Sequence, residues 1–256
     1  MESESCPFRW TSASCSHAGR VRQVNEDACL EQPGRGLWAV ADGMGGHSLG
    51  EFASRLAIRS LADLPPPQNL EQYVALAQEQ LESANRRLRD EAARRDVQLI
   101  GTTIAALLVS QRECAYLWAG DSRIYLCRKG RLRQLTRDHS ELEAVRSRRR
   151  NADDTLHLPP SNVITRALGA EETIAIECEM IEVLDGDVFL LCSDGLSNEV
   201  AEAAIELALL PGNCRQASQE LLDLALEHGG SDNITAVVVR AEDLYSPDRT
   251  VIHPAL

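Results

Sequence analysis

Apolar residues recur along this chain with two different spacings, and the switches between them predict its elements. Residues 8–18, 27–31 and 37–41 read as strands. Residues 48–64 read as a helix that Pro65, Pro66 and Pro67 end, because proline cannot continue one. Asn69 with Gln72 three positions on has the pattern of a capping box. Behind it Leu70, Val74, Ala77, Leu81, Ala84 and Leu88 fall at helical spacing, predicting a second helix to about Arg94. Strands are predicted at 102–110, 114–119, 122–128 and 132–135, with a tight turn at Arg128-Lys129-Gly130. Residues 138–162 are polar, carry an arginine-rich run at 146–150 and lack a sustained period. Strands resume at Val163, at 174–182 and at 187–192. Asn213 with Gln216 forms a second capping-box pattern, opening a helix that stops near Gly229. The last strand is predicted at 233–240, and the tail from about 243 to 256 is expected to be loosely held.

Helices therefore arrive in two pairs, one early and one late, between groups of strands without regular βαβ alternation. That pattern argues against a doubly wound parallel sheet. It predicts an α+β fold of antiparallel sheets with helices packed outside. A chain of 256 residues suits one large domain or two small ones. Neither a linker nor an internal repeat divides it, so residues 1–256 are read as a single domain.

Composition narrows the function. No run of about 18 apolar residues exists, so no membrane span is expected. The acidic, polar start Met1-Glu2-Ser3-Glu4-Ser5 lacks the basic and apolar parts of a secretory signal, and the expected compartment is the cytoplasm. Eight cysteines are scattered without C-x-x-C pairs, giving no support to a zinc knuckle or redox motif, and they are read as reduced. A net charge of −13 argues against nucleic-acid binding and is compatible with collecting divalent cations.

Four acidic clusters carry the chemistry: Arg22-Gln23-Val24-Asn25-Glu26-Asp27, Val40-Ala41-Asp42-Gly43-Met44-Gly45-Gly46-His47, Cys192-Ser193-Asp194-Gly195 and Ser231-Asp232-Asn233-Ile234-Thr235. Asp42, Asp194 and Asp232 each lie where an apolar strand meets a glycine-containing turn. Taken singly, Asp-Gly after a strand is an ordinary hairpin signal. Taken together they are harder to dismiss. Two carboxylates about 4 Å apart repel by about 4 kcal/mol at an effective dielectric of 20, so convergence calls for cations. Carboxylate oxygens are the ligands that hard divalent ions prefer. By contrast, Cys29-x5-Arg35 and Cys127-x5-Arg133 match a cysteine-phosphatase spacing only formally. Neither encloses a glycine-rich cradle of N–H groups. Gly43-x-Gly45 lacks the third glycine of a dinucleotide fingerprint.

The clusters, with Gly101-Thr102-Thr103, Ala119-Gly120-Asp121-Ser122-Arg123, Leu135-Thr136-Arg137-Asp138-His139-Ser140 and Ile164-Thr165-Arg166-Ala167-Leu168-Gly169, stand in one order over residues 22–235. In that order the chain resembles the metal-dependent PPM/PP2C protein serine/threonine phosphatases in their compact bacterial form. The resemblance implies two antiparallel sheets packed as a sandwich with helix pairs on the outer faces. It implies Mn²⁺ or Mg²⁺, two or three ions per chain. Asp42 would bridge two of them. Asp194 and Asp232 would hold the first, and the carbonyl of Gly43 with Glu26 the second. Asp121, with Asp194, would hold a third. Arg22 would grip the substrate phosphate, and a metal-bridging hydroxide would attack phosphoserine or phosphothreonine in line. Partners would be phosphorylated proteins, including a cognate bacterial kinase. Met44 stands where many eukaryotic members carry a histidine, so the general acid is left open; His47 has an equally good role in packing the Gly45-Gly46 turn. Residues 138–162 correspond to the family's flap, of which Asp153-Asp154 and His157-Leu158-Pro159 are a loose echo. The rival readings are a catalytically silent relative, against which no metal aspartate is missing, and a phosphatase of small phosphate esters.

Overall fold

Strands in the middle of this fold are apolar on both faces, and the reason is that each lies between two cores. The computed structural model describes residues 7–46, 48–148 and 163–245. His47, Arg149, Arg150, the Asp153-Asp154 and His157-Leu158-Pro159 echoes, and the tail from 246 lie outside the described residues. One sheet runs β1 (Phe8–His17), β11 (Ile234–Asp243), β10 (Val188–Cys192), β7 (Arg123–Arg128) and β8 (Arg131–Gln134). The other runs β2 (Asp27–Gln32), β3 (Leu37–Met44), β5 (Ile104–Ser110), β6 (Glu113–Ala119) and β9 (Glu177–Glu182), with the short β4 (Gly101–Thr102) against the end of β3. The ladders are antiparallel.

Alternation sorts the side chains. Trp38 and Val40 of β3, Ala105 and Leu107 of β5, Phe189 and Leu191 of β10, and Val237 and Val239 of β11 fill the layer between the sheets. Their neighbours Leu37, Ala39 and Ala41 face helices α1 (Ser48–Ala62) and α2 (Leu70–Arg94). Val188, Leu190 and Cys192 face α5 (Glu202–Leu209) and α6 (Cys214–His228) on the opposite side. Each large side chain fully buried in these layers contributes about 1.5–3 kcal/mol. The result is the expected sandwich, helices outside two antiparallel sheets. Among the described residues no helix is long and apolar enough to cross a membrane, and the seven described cysteines are free thiols.

Both capping signals form. The Asn69 side chain accepts from Gln72 N at 2.8 Å, and that of Asn213 from Gln216 N at 3.1 Å. The return bond of the first box is displaced by one residue, since Gln72 accepts from Gln68 N. Elsewhere the boundaries differ from expectation. The strand expected at 102–110 breaks at Thr103, whose N–H donates to Asp42 O at 2.9 Å instead of joining a ladder. Val163 is not in a strand; one isolated bridge, Ser140 to Ile164, stands there. β9 starts at Glu177, because the N–H of Ile174 goes to the Glu82 carboxylate of α2 at 3.1 Å. The polar stretch contains a helix, α3 (Glu141–Arg148), opened by the Ser140 hydroxyl accepting from Glu143 N. The last strand reaches Asp243, past the expected start of the loose tail, and Leu244 N donates to Pro7 O.

A single buried amide ties α2 to the loop that follows the 163–168 segment. Asn85 is fully buried; its Oδ1 accepts from Gly169 N at 2.6 Å and its Nδ2 donates to the carbonyl of Glu171 at 3.0 Å. Gly169 must be glycine: its φ is +88°, and a Cβ would lie 2.1 Å from Ile100 O. Asn85→Ala orphans these backbone groups and should lower unfolding free energy by roughly 2–3 kcal/mol. Urea denaturation checks it, and a loss below about 0.5 kcal/mol would mean that water replaces the amide.

Candidate metal centre

The inner rows of the sandwich change character at one end. Continuing the rows that bear Val40, Leu191, Val237 and Ile124 leads to Asp42, Ser193, Thr235 and Ser122. A polar floor results. Ser193 Oγ donates to Asp27 Oδ2 at 2.8 Å and accepts from Thr235 N at 3.0 Å. Thr103 and Ser122 hydroxyls lie 2.7 Å apart, and Thr103 Oγ1 accepts from Asp42 N at 3.0 Å. The hydroxyl of Thr102 donates to Asp42 O at 2.9 Å. These bonds clamp the backbone of Asp42 from two sides.

Acidic groups crowd above this floor. Asp27 stands directly opposite Asp42 in the β2–β3 register. Asp194 opens α4 (Asp194–Ser197) straight after β10 and comes close enough to Asp42 for their side chains to share a hydrogen bond. Asp121, in the turn between β6 and β7, is buried. Burial pushes the carboxyl of Asp42 well above the usual range, reinforced by repulsion from Asp27, Asp194, Asp121 and Asp232. Asp194 is raised by burial and by Asp232. Asp27 and Asp121 are each pushed up to about 7, chiefly by burial.

Asp232, just before β11, receives Arg22 Nη2 at 2.8 Å, so the guanidinium sits at the rim, paired to this acid and about half exposed. Glu26 lies to the other side of Asp42. Its Oε1 accepts from Gly50 N at 3.2 Å in the first turn of α1, and its carbonyl accepts from Gly43 N at 3.2 Å. A Cβ on Gly43 would lie 2.0 Å from Gly50 O, so this backbone approach admits no side chain. Asn233 binds the loop that carries Arg22: Oδ1 accepts from Glu26 N, and Nδ2 donates to Ala18 O and Val24 O. A cleft of about 220 Å³ opens beside Asp121 and Asp194, bordered by Asp138, Glu143 and Arg146 near α3.

Asp42, Asp121, Asp194 and Asp232 thus come together, with Gly43 beside Asp42 and Glu26 turned toward α1. Sequence reasoning missed Asp27 as a site residue. Its signal was strand register, which sets it against Asp42. The donor set is all oxygen and suits hard divalent cations. Buried Asp27 Oδ1 has no hydrogen-bond partner, and Asp42 and Asp194 approach as only a shared proton or a cation permits. Among the described residues no group of three or more His, Cys, Asp or Glu side chains is placed to hold a metal ion by itself. An open set fits ions such as Mg²⁺ that keep several waters.

Comparison with known proteins gives the family. Residues 14–227 match the family model of Protein phosphatase 2C, and the chain belongs to that family. It is 41% identical to PppA, described as a key regulatory component of T6SS in Pseudomonas aeruginosa; the superposition covers 91% of this chain and 97% of that one at a TM-score of 0.86. The catalytic domain of the serine/threonine protein phosphatase PstP, solved in complex with 2 manganese ions, is 34% identical over 92% of this chain and 100% of that one, with a TM-score of 0.79. Full-length PstP of Mycobacterium tuberculosis is 36% identical over 233 residues, 90% of this chain, which spans only 45% of that protein. The serine/threonine phosphatase Stp of Listeria monocytogenes is 33% identical and is matched over 93% of its length.

The raised carboxyls fix a pH dependence. Asp27 and Asp121 titrate near 7 in the native state and at an ordinary 3.8 when unfolded, so the native state holds more protons between those values. Stability of the metal-free protein therefore falls as pH rises through that window. In chelator, Tm should drop between about pH 5 and about pH 8. Asp27→Asn should flatten the drop, and Mn²⁺ should restore Tm at the upper end. A metal-free Tm that rises over this range would contradict the assignment.

Proposed function

We propose that the chain is a metal-dependent protein serine/threonine phosphatase, acting in the cytoplasm as one domain over residues 1–256 and opposing a bacterial serine/threonine kinase. The observation that carries this reading is the meeting of Asp42, Asp194 and Asp232 at one end of the sandwich with Arg22 at its rim. The likeness to PstP and Stp, named serine/threonine phosphatases, supports the substrate class. The likeness to PppA supports a regulatory setting.

Asp42 would bridge two Mn²⁺ or Mg²⁺ ions, with Asp194 and Asp232 on the first and Gly43 O with Glu26 on the second. Asp121, with Asp194, would take a third. When bound, such ions lower the pKa of water toward neutrality and offset charge on phosphoryl oxygens. The chain's own residues do the rest. Asp42, its backbone held by Thr102 and Thr103, presents its carboxylate from a fixed main chain, which limits the reorganisation needed as charge develops. Arg22 turns its fork from Asp232 to the phosphate, where two parallel N–H groups match two oxygens. The apolar layer under Ser193 and Thr235 closes the floor to water.

The test is hydrolysis of a phosphothreonine peptide with and without Mn²⁺. Chelator should abolish turnover. Asp42→Asn, Asp194→Ala and Asp232→Ala should each lower kcat by roughly 100-fold or more while staying folded. Full activity of metal-stripped protein would sink the reading. Arg22→Ala should raise KM or lower kcat/KM with Mn²⁺ affinity nearly kept. Calorimetric Mn²⁺ titration of that variant decides: collapsed affinity with unchanged KM would make Arg22 a structural partner of Asp232.

A further inference from the structure

His139 is buried, and no step above uses it. Two bonds join it to Gly120, the residue just before Asp121. Its backbone N–H donates to Gly120 O at 2.9 Å, and its ring Nδ1 accepts from Gly120 N at 3.1 Å. An Nδ1 that accepts leaves the ring proton on Nε2, which lies 3.0 Å from Glu177 Oε1 on β9. Arg166 also bonds that carboxylate, at 2.9 Å, and reaches Ala175 O at 3.1 Å. Arg166 Nη1 is 3.1 Å from Nε2, but both are donors in this tautomer, and Glu177 is the acceptor between them. The Trp118 ring stacks on the imidazole at 6.0 Å and 12°, while its Nε1 holds Arg137 O at 2.8 Å. Burial lowers the imidazole pKa, so the ring is neutral.

The same residue stands where the α3 segment leaves the sandwich and returns. His139 O accepts from Thr165 N at 2.7 Å, and Glu141 N donates to Val163 O at 2.9 Å. Ser140 and Ile164 form a bridge between them. Gly120 has a φ of +112°, which favours glycine, and its backbone packs so closely on Thr103 that a Cβ would lie 2.6 Å from that side chain. The turn carrying Asp121 therefore packs on Thr103 and is hydrogen-bonded from the side by one imidazole.

We propose that His139 is a positioning residue: through the Gly120 N–H···Nδ1 bond it fixes Asp121 against Asp194 and so sets the affinity of that side of the centre for a divalent cation. This rests on the reading of Asp121 as a cation ligand. Asparagine places its amide oxygen near the position of Nδ1, keeping the acceptor and losing the Glu177 contact. Glutamine places its amide nitrogen near Nε2, keeping that contact and losing the acceptor.

His139→Asn should stay within about 2-fold of the wild type in calorimetric Mn²⁺ titration, whereas His139→Gln should weaken the weakest Mn²⁺ step by roughly 10-fold, the scale for losing a group that orients a ligand. Amide exchange at Gly120 should quicken in the glutamine variant alone. Equal behaviour of the two variants would overturn the proposal, as would an unchanged Mn²⁺ titration in His139→Gln despite a deprotected Gly120. Two-bond ¹H–¹⁵N spectra of the unaltered protein supply a check that needs no variant: an Nδ1–H tautomer at His139 would refute the bond. Asp121→Asn separates the premise from the proposal. If it leaves every Mn²⁺ step intact, the ligand reading fails; if it removes the weak step while His139→Gln does not, the role of His139 fails.

Discussion

Four buried or half-buried carboxyls at the end of a sandwich repel one another, and they have nowhere to go. Asp27 and Asp42 are fixed by the register of two paired strands, so neither retreats without displacing its whole ladder. Asp194 is fixed by the turn from β10 into α4, and Asp121 by the turn from β6 into β7. A solvent-exposed pair would relieve such repulsion by rotating outward. Here hydroxyls from Ser193, Thr103 and Ser122 occupy the floor and leave the acids facing one shared space. The repulsion is therefore built into the backbone rather than into any one side chain, and it is of the kind that a divalent cation would offset.

That geometry depends on unusually close backbone contacts. Gly43 meets Gly50, so β3 and α1 touch without side chains between them. Gly195 meets Asn233 O in the same way, at 2.0 Å from where its Cβ would be. Asn233 then reaches across to residues 18, 24 and 26 with both ends of its amide. At the site the two sheets are joined by the Asn233 bonds to Val24 and Glu26 and by Ser193 to Asp27, while elsewhere the apolar inner layer holds them together.

Much of this was legible in the sequence, for identifiable reasons. Strand periodicity and the Asn69 and Asn213 caps depend on local chemistry, and they appear where expected. Asp42, Asp194 and Asp232 stood out because each sits at a strand end beside a glycine, and the ordered motifs named the family. What failed needed partners distant in sequence. Thr103 leaves its strand for Asp42, and Ile174 turns to Glu82. Asp27 gained meaning only from register. The helix α3 was a different kind of miss: Ser140-Glu141-Leu142-Glu143 carries a local start signal, hidden by the polar run after it.

The sheet that contains β11 gives the chain a timetable. β1 is paired to β11 along its whole length, Phe8 against Asp243, so the first strand of this fold waits for its last. Asp232 and Asn233 arrive with that final strand. Contacts of such long sequence separation close late, after local helices and hairpins have formed. Before residues 193–243 are in place, Asp27 and Asp42 face each other without Ser193, Asp194 or Asp232 beside them. The acidic cluster is therefore completed only by the final strand of this fold, and a fold without β11 would have no Asp232 side to it rather than a weakened one.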